Sequence, residues 1–175
     1  SDKTDVLFFC KSENIFLSNG SDDILNFAFM SYCADGKGVA FPNISYGFYK
    51  VYAQLHHSDA EIIPLESDFS IKSEKYCGIN KTVVIANPNA PTGLTLSFEE
   101  VEKIVASNPD NVVIMDEAYM AFCGESCMEL VNKYNNLLVT RTFSKSHSLA
   151  GLRVGFGIGS KELIEDMNKL KFSFN

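Results

Sequence analysis

Six short runs of β-forming residues alternate with four stretches of helical spacing, and that alternation limits the chain to a small set of folds. Gly38 to Phe41, Glu61 to Leu65, Thr82 to Ala86, Val112 to Asp116, Leu137 to Thr142 and Val154 to Ile158 read as strands. Near-continuous apolar runs such as Thr82 to Ala86 imply strands covered on both faces. Asp22 to Cys33, Tyr46 to Leu55, Ser97 to Ala106 and Ser160 to Lys171 carry helical spacing, and Ser97 with Glu100 forms a capping box. The expected architecture is α/β, a three-layer arrangement with a mostly parallel sheet flanked by helices. Such sheets hold their ligands beyond the carboxyl ends of the strands. The loops at those ends are therefore where chemistry is sought.

At 175 residues and 46% hydrophobic, the chain has side chains for one core and little room for a second full domain. The last helical pattern runs to Phe174-Asn175 without a stop signal, so the chain reads as a piece of something longer. A formal charge of −7 and the absence of any Lys/Arg cluster weigh against a nucleic-acid partner. Five irregularly spaced cysteines, with no apolar run long enough to span a bilayer, point to a reducing cytoplasm and no membrane. Cys123 and Cys127 lack a second pair or a neighbouring histidine, so no metal site is expected. His56, His57 and His147 show no ligand spacing and read as surface or capping residues. Phe27, Phe29, Tyr32, Phe48 and Tyr52 fall at helical spacings and read as core.

Several segments at strand ends carry more specific chemistry. Lys145 lies in Thr142-Phe143-Ser144-Lys145, and Gly151-Leu152-Arg153 follows; an amine beside hydroxyls and an arginine suits a phosphate-bearing aldehyde. Asn19-Gly20-Ser21-Asp22 separates the apolar run Ile15-Phe16-Leu17 from a helical pattern, so its amides can face an anion from a helix N-terminus. Ser21 or Asp22 as a plain helix cap is the other account of that segment. Asp116-Glu117 closes an apolar strand, where a carboxylate is costly unless paired. Its partner is either a protonated pyridine nitrogen or magnesium in a nucleoside triphosphatase, but the phosphate-binding loop of the latter is missing from the sequence. Gly155-Phe156-Gly157-Ile158-Gly159 lacks the third glycine and the downstream acid of a dinucleotide site. Asn87-Pro88-Asn89-Ala90-Pro91-Thr92-Gly93 has the prolines and amides of a tight loop.

Taken in order, Asn-Gly-Ser-Asp, Tyr46, Asn-Pro-Asn-Ala-Pro-Thr-Gly, Asp-Glu-Ala-Tyr, Thr-Phe-Ser-Lys and Gly-Leu-Arg-Val-Gly resemble the fold-type I, class I/II aminotransferases, histidinol-phosphate aminotransferases above all. The match runs from about Asn14 to Phe174. The resemblance implies pyridoxal 5'-phosphate, with Lys145 as its Schiff-base lysine, Asp116 on the pyridine nitrogen and Tyr119 on the phenolic oxygen. It implies Gly20, Ser21, Asp22, Thr142, Ser144 and Arg153 around the phosphate, and Tyr46 stacked on the ring. Asn89 is the stand-in for a family asparagine whose place is taken by Ala90.

The resemblance further implies that residues 1–175 are a large domain without its N-terminal segment and C-terminal small domain. Its substrates would be an amino donor and a 2-oxo acid, histidinol phosphate with 2-oxoglutarate, and the intact enzyme a homodimer. Two other outcomes share these residues. One is a noncatalytic piece that cannot close over substrate, and the other a decarboxylase or lyase acting on a phosphorylated amino acid.

Overall fold

The apolar runs assemble into one seven-stranded sheet in a computed structural model that describes residues 10–171. In chain order the strands are β1 (Ile15–Ser18), β2 (Val39–Pro42), β3 (Ala60–Ile63), β4 (Thr82–Ala86), β5 (Val113–Asp116), β6 (Leu137–Thr142) and β7 (Gly155–Ile158). The helices are α1 (Ser21–Tyr32), α2 (Phe48–Leu55), α3 (Phe98–Ser107) and α4 (Lys161–Leu170), joined by short 3-10 turns. Strand order is β1-β7-β6-β5-β4-β2-β3. β2 to β6 pair in parallel, while β7 runs antiparallel to both β6 and β1.

Alternation along the central strands builds the layers. Val84, Ile114 and Leu138 face a core shared with Ile24 and Leu25 of α1, Tyr49 of α2 and Met167 of α4. Their neighbours Ile85, Met115 and Val139 face the opposite core, against Val101, Ile104 and Val105 of α3. Period-two side chains buried on both sides require helices on both sides, which gives the three layers. α3 starts as its sequence demands: Ser97 and Glu100 exchange the two bonds of a capping box, at 2.8 and 3.3 Å.

The reversal of β7 positions the site. β6 ends at Thr142 and β7 returns beside it, with Gly155 opposite Thr142, so both ends of the loop carrying Lys145 and Arg153 emerge at the carboxyl edge of the parallel strands. β1 ends at the same edge, with Ser18 opposite Gly155. A Cβ on Gly155 would lie 2.5 Å from the Gly20 carbonyl carbon and 2.6 Å from the Ser21 nitrogen. Glycine here lets the β1–α1 turn settle onto β7, and the glycine-rich run is a strand.

Some expectations need adjustment. Ile15–Ser18, read only as an apolar run, is a full edge strand. The last helix stops at Leu170, where Lys171 turns extended; the pattern's continuation to Phe174-Asn175 lies outside the described residues. Phe48, expected in the core, is half exposed, because the buried face of α2 is formed by Tyr49, Tyr52 and Ala53. Among the described residues no helix is long and apolar enough to cross a membrane, and no group of three or more His, Cys, Asp or Glu is placed to hold a metal ion.

Candidate active site

At the carboxyl edge of the sheet lies an open cleft lined by residues from both ends of the chain. Gly20, Ser21 and Asp22 form one wall and Tyr46 another; Ala86, Pro88 and Ala90 extend from β4. Asp116, Ala118 and Tyr119 extend from β5, and Thr142, Ser144, Lys145 and Arg153 enter from the β6–β7 loop. Ten of the eleven residues singled out from the sequence line this one cleft, which leaves Asn89 to explain.

Asp116 is 6% exposed. Its Oδ2 accepts from the Tyr49 hydroxyl at 2.9 Å, and its Oδ1 from Thr140 Oγ1 and the Ala118 N–H, both at 3.2 Å. Burial pushes its pKa above the ordinary carboxylate value, and the three hydrogen bonds pull back without cancelling that effect. All three donors are neutral, so among the described residues the carboxylate has hydrogen bonds but no counter-charge in contact with it. A single positive group in the cleft would supply one.

The raised pKa has a signed consequence. A carboxyl whose folded pKa exceeds its unfolded value favours folding below the unfolded pKa, and that benefit is lost as pH rises through the folded pKa. Asp116→Asn is therefore expected to raise the Tm of the cofactor-free protein at pH 7, because the amide has no charge to desolvate. Calorimetry across pH should show the gain shrinking as the acid carboxylate range is approached. A loss of Tm at pH 7 would contradict this account of Asp116.

The opposite end of the cleft suits an anion. Gly20 is the N-cap of α1 at φ 92°, a conformation open to glycine, and no side chain caps the free amides of the first turn. Arg153 reaches over this turn. Its Nη2 lies 3.4 Å from Asn19 O, and its Nη1 lies 3.3 Å from Ala150 O and 3.5 Å from Ser144 Oγ. These long bonds hold the guanidinium loosely, and Arg153 adopts left-handed backbone at φ 51°, a strain of order 1–3 kcal/mol found where function dictates geometry. Thr142 Oγ1 accepts the Ser144 N–H at 3.1 Å and still has a proton to donate.

Lys145 is exposed to the cleft, with Nζ 5.0 Å from the centre of the Tyr119 ring. It is the one amine among the described lining residues. Three tyrosine hydroxyls reach this region, one from Tyr46 ahead of α2 and two from α2 itself: Tyr46 donates to Asp22 Oδ1 at 2.7 Å, Tyr49 to Asp116, and Tyr52 to the Asp22 carbonyl at 3.0 Å. Tyr46, in the segment before α2, and Tyr49, in its first turn, thus each brace one of the two carboxylates.

Asn89 does not reach the cleft. It is 1% exposed; its Nδ2 donates to Ile44 O at 3.0 Å and Thr92 Oγ1 at 3.3 Å, and its Oδ1 accepts from Ser45 Oγ at 2.8 Å. Those bonds close the loop and join it to the segment ahead of α2, while Ala90 occupies the wall. Nor does Asp22 present a donor: its carboxylate faces Tyr46, and only its backbone N–H is suited to an anion. The helix-cap alternative for Ser21 and Asp22 fails too, since Gly20 holds the cap position.

Tyr49 and Thr140 were missed in the sequence, although Thr140 stands opposite Asp116 in register. Arg141 was missed as well. Its Nε and Nη2 both bond Glu117 Oε2, at 2.9 and 2.7 Å, and Glu117 also accepts from Ser126 Oγ and the Cys127 N–H. The two acids of Asp116-Glu117 thus have different partners, one facing the cleft and one in an ion pair with the partly exposed Arg141.

This cleft can be set beside known proteins. The family model for aminotransferase class I and II matches residues 4–175. A histidinol-phosphate aminotransferase of Brachyspira hyodysenteriae is 48% identical over 170 residues, 97% of this chain and 48% of the relative. The chain spans about half the length of the curated relatives it matches. A putative histidinol-phosphate aminotransferase of Erwinia carotovora atroseptica superposes with TM-score 0.88 at 25% identity, over 97% of this chain and 53% of the other. An L-threonine-O-3-phosphate decarboxylase of Porphyromonas gingivalis has TM-score 0.81 at 18% identity, over 95% of this chain and 53% of that one, a likeness of fold alone. With a matching sheet, the motifs in family order and a family match along nearly its whole length, the chain belongs to the class I and II aminotransferases.

Proposed function

We propose that the cleft holds pyridoxal 5'-phosphate and that the chain is the cofactor-binding large domain of an aminotransferase. The intact enzyme moves an amino group between an amino donor and a 2-oxo acid, with histidinol phosphate and 2-oxoglutarate as the pair, in histidine biosynthesis. The substrate pair rests on the names of relatives at 48% identity. The cofactor rests on one observation above the others: a buried carboxylate, raised by desolvation and bonded by neutral donors alone, faces a cleft whose far end is an anion cradle. A protonated pyridine nitrogen provides the missing counter-charge, and a phosphate fits the open helix amides and Arg153.

In this reading Asp116 keeps the ring nitrogen protonated, and Ser21, Thr142, Ser144 and Arg153 hold the phosphate over the space left by Gly20. Tyr46 covers the ring, and Tyr119 donates to the phenolic oxygen. The bound cofactor supplies an electron sink for charge developing at the substrate Cα. Lys145 Nζ moves the proton from that carbon. The rest of the protein contributes a small domain that closes over the substrate, a second subunit forms a homodimer, and the enzyme works in the cytoplasm, where its cysteines stay reduced.

Titrating the full-length protein with pyridoxal 5'-phosphate should produce a visible absorbance band that depends on Lys145. Histidinol phosphate should then convert it with release of the matching oxo product, and threonine phosphate should release no carbon dioxide. No band would leave a noncatalytic structural piece, and carbon dioxide release would make the enzyme a decarboxylase.

A further inference from the structure

Asp22 has an unusual place for a carboxylate, in the first turn of α1 at the end of the cleft that suits an anion. A helix start favours an acid, but Asp23 already serves that need: its Oδ2 accepts from Ser18 Oγ and, at 3.4 Å, from the Asn19 N–H. The one hydrogen bond of the Asp22 carboxylate among the described residues is the 2.7 Å bond from the Tyr46 hydroxyl. As an ionised group it has no proton to give a phosphate and repels it.

We propose that Asp22 is a positioning residue, a latch that holds the Tyr46 ring against the cleft, and not a phosphate ligand; this rests on the cofactor reading above. Tyr46 needs such a restraint. It lies in irregular chain just before Gly47, the N-cap of α2, so no regular backbone directs its side chain. Phe48 stacks on its ring at 5.7 Å and Tyr49 meets it edge-on at 5.6 Å, contacts that bracket the ring while its hydroxyl is directed by Asp22 alone. Asp22 is in turn anchored from α2, because the Tyr52 hydroxyl donates to its carbonyl at 3.0 Å. The latch therefore ties the turn that opens the anion cradle to the wall that covers the ring.

The test uses full-length protein carrying Asp22→Ala, Asp22→Asn, Tyr46→Phe, or Asp22→Ala with Tyr46→Phe. Dissociation constants are measured for pyridoxal 5'-phosphate, for pyridoxal without phosphate and for inorganic phosphate, and Tm is measured without ligand. Asp22→Ala and Tyr46→Phe should each weaken pyridoxal by about fivefold, the scale of a partly exposed hydrogen bond to a charged group. The double variant should be no weaker than either single one, and the ligand-free Tm losses should be non-additive in the same way. Asp22→Asn, whose amide oxygen still accepts from Tyr46, should bind pyridoxal as the unaltered protein does. Inorganic phosphate should bind as well or better in both Asp22 variants. Weaker phosphate binding with unchanged pyridoxal affinity would make Asp22 an anion ligand, and additive losses would remove the latch. Failure of the unaltered protein to bind pyridoxal 5'-phosphate at all, with the two Tm losses still non-additive, would instead overturn the cofactor reading and the ring's role with it.

Discussion

Lys145→Ala is expected to lower the rate of amino-group transfer by about 10⁴-fold or more, the upper end of what one positioned proton-transfer group contributes, with loss of the covalent attachment adding to it. No other residue can take over. Lys145 is the sole amine among the described residues of the cleft, and a guanidinium such as that of Arg153 has donors but no acceptor with which to take a proton. For the same reason Lys145→Arg, which keeps charge and length, should be as inactive as the alanine variant. The defect should be chemical and not structural. Lys145 is exposed, its Nζ lies over the Tyr119 ring, and it belongs to neither core cluster, so Tm should stay within about 1–2 °C. Anion binding by Ser21, Ser144 and Arg153 should persist, leaving affinity for pyridoxal 5'-phosphate reduced but measurable. Stopped-flow absorbance with histidinol phosphate reads the rate; a half-reaction of normal speed in Lys145→Ala would reject the role given to this amine.

How much of this was readable in the residues follows from which interactions are local. Thr82–Ala86 and Leu137–Thr142 have the bounds read from the sequence, because β-branched and apolar residues fill most positions of each run. α3 begins where Ser97 and Glu100 say it does, since both partners of a capping box lie within one turn. Lys145, Asp116 and Arg153 were legible as polar groups at strand ends, where burial or convergence needs a reason. The partners of Asp116 were not. Tyr49 is 67 residues away and looks like any core tyrosine, and Thr140 becomes a partner only through the β5–β6 register. Ile15–Ser18 was too short to be told from a buried turn until its pairing with β7 was known. Asn89 was misjudged for a related reason: a loop amide gives no sign of whether it faces a ligand or closes its own loop.

The least legible feature carries the largest stability effect. Arg141→Met is expected to destabilise the protein by about 3–5 kcal/mol, because it strands an ionised Glu117 whose side chain is 0% exposed. The remaining donors, Ser126 Oγ at 2.8 Å and the Cys127 N–H at 2.7 Å, solvate the carboxylate but cannot neutralise it. Removing the charge as well should undo most of the damage. In Arg141→Met with Glu117→Gln the amide oxygen can still accept from Cys127, methionine replaces the apolar stem of the arginine, and about 1–2 kcal/mol of loss should remain. This asymmetry separates a pair that stabilises from one whose members merely tolerate each other: breaking the pair costs far more than replacing it. Because Glu117 and Arg141 lie next to Asp116 and Thr142 on β5 and β6, the single variant should also loosen the strand ends that line the cleft. Its affinity for pyridoxal 5'-phosphate should fall even under conditions where it remains folded, and the double variant should restore both properties together. Urea unfolding of the three proteins at pH 7 gives the stabilities; equal losses in the single and double variants would show that Arg141 acts through its packing and not through Glu117.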